Sequence, residues 1–531
     1  MWPIGPDRGP VRALIVRPQP GFRLTHRTLI RRLLIANRGE IAVRVIRACR
    51  EMGISPVAVY SDADAHALHV RMADAAYQIG PAPASDSYLR IDRILQAARL
   101  SEADAVHPGY GFLAENAEFA QACIDAGLLF VGPPPKAVRA LGLKTAARKL
   151  MQAAGVPVVP GTLEPLTAIE DVRRAADEVG FPVALKAVAG GGGKGLRMVS
   201  EPAHLEAAFR QATSEAGAAF GNAAVYLERA IDRPRHIEVQ ILADEHGQCV
   251  WLGERDCSIQ RRHQKVLEES PSPAVSPHLR QQMGEVAVRA ALAAGYTNAG
   301  TVEFLLAPDG NFYFLEVNAR LQVEHPVTEE VTGIDLVREQ LRIASGEHLG
   351  YDQSAIEPRG YALECRIYAE DPAAGFLPST GRLTGYRPPA GPGVRVDSGV
   401  EEDATIGVYY DPMIAKLIVH AAARQLGLDR MARALREFLI LGVRTSIPLH
   451  HWLVAHPDVR SGSVDTGWLE REWSPAQAES VASPDALETA AIAAALLVDA
   501  GRTRASVAPA PPATDAAASM WRTVARQAAR H

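Results

Sequence analysis

Residues 301–325, TVEFLLAPDGNFYFLEVNARLQVEH, constrain the fold more than any other stretch of the chain. Two apolar runs flank Asp309-Gly310, a dipeptide that favours a two-residue hairpin turn. Pairing centred on that dipeptide sets Glu303 opposite Glu316. Beyond the turn, Glu316, Asn318, Arg320, Gln322 and Glu324 alternate with Leu315, Val317, Ala319, Leu321 and Val323. That is the period of a strand, whose successive side chains point to opposite faces. The spacing therefore predicts a strand running through to Glu324, with one face of carboxylates, amides and a guanidinium. Carboxylates directly opposed across a sheet, about 5 Å apart, destabilise it unless a cation lies between them. Carboxylate and amide oxygens suit a hard ion such as Mg²⁺, which shares such sites with nucleotide phosphates. Glu303, Glu316 and Asn318 are the candidate ligands.

Two further stretches point to an anion. FPVALKAVA (181–189) and LRMVS (196–200) read as strands around GGGGKG (190–195). Gly190, Gly192 and Gly195 match GxGxxG only formally, because a strand follows rather than a helix. Gly195 also stands where a Walker A loop carries Ser or Thr. A strand, glycine loop and strand still suit phosphate: backbone N–H groups around Gly191, Gly192 and Gly193 can close on the anion, and Lys194 adds charge. Lys186, inside the incoming apolar strand, costs desolvation unless an anion meets it. Lysine is scarce here, seven against 56 basic residues in all, so each survivor is a candidate for a place that needs a compact ammonium. ERDCSIQRRHQKV (254–266) gathers Arg255, Gln260, Arg261, Arg262, His263 and Lys265 into a possible anion-binding wall. Singly, these stretches also read as a solvated hairpin face, a flexible turn and a charged loop. Together they describe a nucleotide site, with Arg320, Gln322, Lys265 and Glu324 left over for a second, small anion and its general base.

The rest of the chain sets limits. A net charge of −5 over 531 residues asks for neither nucleic acid nor a membrane surface. No apolar run is long enough to span a bilayer. Five scattered cysteines, without a CxxC pair, fit a reducing, cytoplasmic setting and not a disulfide frame or zinc knuckle. From Arg32, LLIAN, IAVRVIRACREMG and VAVY read as strand, helix and strand, a βαβ opening whose NRGE loop lacks the dinucleotide fingerprint. A second polar loop follows the short strand in AVHPGYGFLAEN, at the end where α/β sheets contact ligands. Residues 1–31, rich in Arg and Pro, read as a disordered extension. Beyond about 475 the chain turns Ala-rich and linker-like, with MWRTVARQAARH as a short basic helix.

These motifs, with GVPVVPG, PRHIEVQILAD, ECRIYAEDP and DPMIAKLIV, make the chain resemble the biotin carboxylase subunit of biotin-dependent carboxylases, in the ATP-grasp superfamily. The resemblance covers roughly residues 32–472. It implies an α/β (α+β) fold: a Rossmann-like N-terminal domain (32–143), an ATP-grasp domain (144–358) with a mobile glycine-flap lid (about 158–230), and a C-terminal biotin carboxylase domain (359–472). Residues 473–531 would be a linker and docking tail. The implied reaction is carboxylation of biotin by bicarbonate, driven by ATP with Mg²⁺ or Mn²⁺ through carboxyphosphate.

By that resemblance Lys144, Lys186, His263 and the loop Gly191–Lys194 contact ATP phosphates. Glu228, Ala230 and Ile231 meet the adenine, and His236 and Gln260 meet the ribose. Glu303, Glu316 and Asn318 form the metal site. Lys265, Arg320, Gln322 and the Val323 backbone hold bicarbonate, Glu324 is its base, and Arg366 steadies the biotin enolate. Leu143, Ala189, Tyr361 and Ser446 depart from residues frequent in the family, which bears on nucleotide affinity. No Met-Lys-Met biotinylation motif occurs in the sequence, so the expected partners are a biotin carrier protein in trans and a carboxyltransferase subunit, within a homodimer or larger complex. The alternatives are a non-catalytic scaffold subunit, or another ATP-grasp carboxylate ligase. Retention of Glu324, Arg320, Lys265 and Arg366 argues against both.

Overall fold

The computed structural model describes residues 29–188 and 195–479, with positions 492 and 495. Alternation within the first strand, Arg32–Ile35, divides it between two cores. Leu33 and Ile35 pack with Ile41, Val45 and Ile46 of the helix Gly39–Glu51, while Leu34 packs with Ile94 and Phe119. A strand buried on both faces belongs inside a parallel sheet. Five strands pair in parallel in the order Ala75–Gly80, Ser55–Ser61, Arg32–Ile35, Ala105–His107, Leu129–Phe130. The strand order reverses between Arg32–Ile35 and Ala105–His107, where such sheets bind ligands. There the NRGE and HPGYG loops meet, and Asn37 Nδ2 donates to the carbonyls of Pro108 at 2.8 Å and Tyr110 at 2.7 Å.

The second sheet is antiparallel and eight-stranded, in the order Phe312–Asn318, Asn298–Leu306, Arg235–Ala243, Cys249–Arg261, Gln264–Ser270, Tyr361–Tyr368, Met413–Ala421, Val394–Ser398. It runs unbroken across residue 358. Period two assigns its faces. Ile237, Val239, Ile241, Val302 and Phe304 pack on the helix Pro277–Ala293, and Leu363, Cys365, Ile367, Leu417 and Val419 pack on the helix Arg424–Glu437. The intervening residues, His236, Glu238, Gln240, Thr301, Glu303, Glu364, Arg366 and Lys416, therefore share the other face. All eight are buried. A row of buried polar groups on one sheet face is what positions the site.

A small third sheet, Arg197–Val199, Val183–Ala187 and Val225–Arg229, has its own core with the helices Ile169–Val179 and Leu205–Phe220. The glycine loop that joins its first two strands, with Ala189, Gly191, Gly192, Gly193 and Lys194, lies outside the described residues. So do residues 1–28 and the stretch read as a basic helix. Of the separate unit Ser474–His531, the helix Ala476–Glu479 is described. Among the described residues no helix is long and apolar enough to cross a membrane.

The hairpin reaches its expected pairing by an unexpected route. The turn is a three-residue loop of Pro308, Asp309 and Gly310: Gly310 N–H donates to Ala307 O at 3.0 Å, Ala307 N–H to Asn311 O at 2.8 Å, and Gly310 has φ +86°. Near the turn the register is therefore one residue out, with Phe304 opposite Phe314. A bulge at Leu315 restores it and sets Glu303 opposite Glu316. The strand also stops at Asn318 instead of running to Glu324. Ala319 N–H leaves the ladder for Glu115 Oε1 at 3.0 Å. Pro326, which suits the first turn of a helix, helps start the helix His325–Thr332, with Glu324 as its N-cap. The polar residues from 320 to 324 are thus delivered by a loop and a helix start.

Candidate active site

A cavity of about 680 Å³ opens on the polar face of the large sheet, within the usual range for small-ligand pockets. It is lined by Lys144, Lys186, Glu228, Ala230, Ile231, His236, Gln260, His263, Lys265, Glu303, Glu316, Asn318, Arg320, Gln322, Val323, Glu324 and Arg366. Every described residue that the family resemblance assigned to the site is on that wall, though they come from positions more than 200 residues apart.

Lys265 is the hub of the inner end. Its Nζ lies 2.5 Å from Glu238, 2.8 Å from Glu303 and 2.6 Å from Glu324. Arg366 takes the other oxygen of Glu324 at 3.0 Å and donates through Nε to Glu268 at 2.6 Å. Burial alone would raise the Glu324 carboxyl, but Lys265, Arg366 and Arg255 hold it well below the usual carboxylate range. Glu303 is likewise held down against burial by Lys265 and His236. Burial opposes the charge on Lys265 too, yet the three carboxylates push it well above an ordinary lysine. The hub is therefore a set of fixed charges.

Around it, Gln322 Nε2 and Asn318 Nδ2 each donate to Glu303 Oε1 at 2.8 Å. Arg320 is held by Glu115 at 3.0 Å and by Asn318 Oδ1 at 2.9 Å. His236 Nε2 sits 2.9 Å from Glu303, and Gln260 is 3.2 Å from its Nδ1. At the outer end Glu228, buried, pairs with Arg148 at 2.9 Å and with Lys186, so the anion that meets this strand lysine is a side chain. Lys144 lies 3.7 Å from Glu316.

Glu303 and Glu316 face each other across the ladder, and protein groups offset their repulsion: the Lys265 ammonium with the imidazole of His236 at Glu303, and Lys144 at Glu316. Two opposed carboxylates with an amide beside them form an oxygen donor set that fits a hard divalent cation. Another buried group, His236, Glu238 and Glu303, brings donor atoms within 4.8 Å of one another. There the Lys265 ammonium already touches both carboxylates and supplies the positive charge.

The wall expected from residues 254–266 is a hairpin, not a charged loop, and only part of it faces the cavity. Gln260, His263 and Lys265 do; Arg261 turns to Phe376 and lies 3.5 Å from Glu370. Arg255 is fully buried and spends its guanidinium on Glu238, Gln240, Thr301, Gln322 and Thr328 at 2.5 to 3.1 Å. It ties four segments behind the hub, and nothing local in the sequence separates it from its neighbouring arginines. Glu238, Glu268 and Glu115 were also missed, because each acts through a partner remote in sequence. Gly161, in GVPVVPG, was passed over as well. A Cβ there would come 2.4 Å from Leu227 O and 2.6 Å from Glu228 Cα, so glycine is what lets this segment lie against Glu228. Of the departures, Leu143 is the N-cap of the helix Lys144–Ala153 and offers no acceptor. Tyr361 donates to Glu269 at 2.6 Å, and Ser446 Oγ donates to Arg366 O at 3.1 Å, securing that strand.

Comparison with known proteins gives three consecutive family matches. Residues 29–138 match the biotin carboxylase N-terminal domain, 144–351 the ATP-binding domain of the carbamoyl-phosphate synthase L chain, and 364–471 the biotin carboxylase C-terminal domain. The chain is 53% identical to a biotin carboxylase of Nostoc over 83% of its length and 98% of that protein. It is 52% identical to biotin carboxylase 1 of Bacillus subtilis, again over 83% of this chain and 98% of that one. Among solved structures, the biotin carboxylase domain dimer of Hydrogenobacter thermophilus 2-oxoglutarate carboxylase, in complex with MgADP, ADP and bicarbonate, superposes with a TM-score of 0.81 at 48% identity, over 83% of this chain and 97% of that one. A nucleotide complex of Campylobacter jejuni biotin carboxylase gives 0.83 at 46% identity, over 84% and 100%.

Proposed function

Because the chain belongs to the biotin carboxylase family, we propose that it carboxylates biotin at the expense of ATP and bicarbonate, with the biotin presented by a separate carrier protein and the carboxyl group passed on by a carboxyltransferase. The observation that carries this reading is the hub itself: an ionised Glu324 clamped between Lys265 and Arg366 at the inner end of a cavity of nucleotide size.

Bicarbonate sits against Lys265, Arg320, Gln322 and the Val323 N–H. Glu324 accepts its proton, and the oxygen so freed attacks the γ-phosphorus of ATP. ADP leaves and carboxyphosphate forms. Lys144, Lys186 and His263 hold the phosphates, and positioning with charge neutralisation supplies most of the catalysis in such a transfer. Glu303 and Glu316 are the residues that would hold Mg²⁺, which neutralises phosphate charge when bound. In the second step the ureido nitrogen of biotin gives up its proton to the departing phosphate and takes the carboxyl group, so that inorganic phosphate leaves protonated. Arg366 stabilises the negative charge that builds on the ureido oxygen.

Phosphate release from MgATP, followed with and without bicarbonate and free biotin, tests the reading. Stimulation by both, reduced at least about a hundredfold in Glu324→Gln, is the expected outcome for loss of a general base. A wild-type protein that binds ATP but shows no stimulation would refute it.

A further inference from the structure

Building on the nucleotide site proposed above, we infer that Glu470 is a positioning residue for that site, holding the Arg262–His263 turn in the form that presents His263 to the nucleotide.

The strands Cys249–Arg261 and Gln264–Ser270 pair through Arg261 and Gln264, which leaves a two-residue loop of Arg262 and His263. Both are left-handed, with φ of 49° and 64°. Turns of this kind are usually built from Asn-Gly, because a Cβ disfavours that backbone region. Two large side chains are held there, so something outside the loop must fix it. The Arg262 N–H, left outside the hairpin ladder, donates to Glu470 Oε1 at 2.9 Å.

Glu470 arrives on a braced arm. Its helix, Trp468–Glu472, is anchored by buried Trp468 and Leu469. The Trp468 ring stacks on Trp452 with centroids 5.5 Å apart, and its indole N–H donates to Asp458 at 3.0 Å. Just before the helix, Thr466 N–H donates to Pro234 O at 2.9 Å. Thr466, Gly467, Glu470 and His263 all line the nucleotide cavity. A carboxylate at the mouth of a cavity for a triphosphate repels the ligand, so its place there needs another reason, and the cap on the turn supplies one. Burial lowers His263 below an ordinary histidine, and Glu470 is the first charge that opposes the shift.

The test compares full-length variants by calorimetric MgADP binding and by the KM and kcat of phosphate release. Glu470→Ala is expected to weaken MgADP and raise the KM for ATP roughly five- to tenfold, the net worth of one exposed backbone hydrogen bond. Its kcat, its KM for bicarbonate and its thermal midpoint stay near wild type. Glu470→Gln, whose amide oxygen accepts the same N–H, keeps most of the affinity. Adding Arg262→Gly to Glu470→Ala removes the cost of the left-handed residue and restores binding. An unchanged affinity in Glu470→Ala, a Glu470→Gln as weak as the alanine variant, or no recovery with Arg262→Gly would each overturn the inference. Failure of the carboxylase reading would show instead as a wild-type chain without bicarbonate-stimulated phosphate release, and the MgADP comparison among variants would still decide the role of the turn.

Discussion

At the scale of single residues the site is a problem of charge. Four buried carboxylates, Glu238, Glu268, Glu303 and Glu324, are held by the Lys265 ammonium and two guanidinia, Arg255 and Arg366. In Lys265→Met the cation is lost, the ionised form of Glu324 is less favoured, and its pKa rises. The acid limb of the kcat/KM profile for bicarbonate should therefore move to higher pH by about a unit or more, on top of a large loss of rate. Stability follows the same sign. The low folded-state values of Glu324 and Glu303 contribute stability that is fully present above the ordinary carboxylate value of about 4.3 and is lost as pH falls through the folded value. Urea unfolding followed from about pH 5 down to about pH 2 should show a shallower acid dependence in the variant. The scarcity of lysine was a partial guide to these positions. Lys144, Lys186 and Lys265 reach the cavity and Lys416 is buried, while Lys136 is exposed and Lys149 pairs with exposed Glu164.

At the scale of elements, the hairpin that opposes Glu303 and Glu316 depends on two compensating irregularities, a three-residue loop and a bulge at Leu315 further along the returning strand. The turn dipeptide was legible; the loop length was not, because Asp-Gly serves both loop types. Gly310, at φ +86° with nothing within 4 Å of the place a Cβ would take, tests the loop without a steric clash. Gly310→Ala should cost about 1 kcal/mol from the left-handed backbone alone, read as a lower urea midpoint with an unchanged m-value. The strand expected to reach Glu324 failed for a reason no period can reveal: Glu115, about 200 residues earlier, takes the Ala319 N–H. The alternation survived because a loop can aim the same side chains inward.

At the scale of the whole molecule, Lys416 joins what the chain keeps far apart. Fully buried, it donates to Val323 O at 2.8 Å and lies 3.2 Å from Glu40, in the first turn of the helix Gly39–Glu51, and 3.8 Å from Asp397. It thus ties the parallel sheet and the far edge of the antiparallel sheet to the turn that carries Glu324. Lys416→Met would leave buried Glu40 without its cation, while Asp397 keeps Arg395 at 2.8 Å, and should destabilise the protein by about 3 kcal/mol. Burial pushes Glu40 up to about 7 even with Lys416 beside it, and losing the cation raises it further. At pH 6 Glu40 would then be neutral, so the loss in urea unfolding should be larger at pH 8 than at pH 6.

The sequence by itself determined the βαβ opening, the Glu303–Glu316 opposition and the residues that line the cavity. The opening follows from apolar period and the candidate metal ligands from turn dipeptide and residue type, whereas Glu228, Ala230, Ile231, His236 and Arg366 were named by resemblance to the family, and the opposition is reached only through the bulge at Leu315. Only the tertiary structure decided the partners. That Lys265 answers three carboxylates, that Arg255 is spent behind the hub, that Lys186 meets Glu228 and that Glu470 caps a turn 208 residues away are outcomes of sheet order and register. A buried charge is satisfied by whatever opposite charge the fold brings within hydrogen-bond reach, and separation along the chain carries no information about that distance.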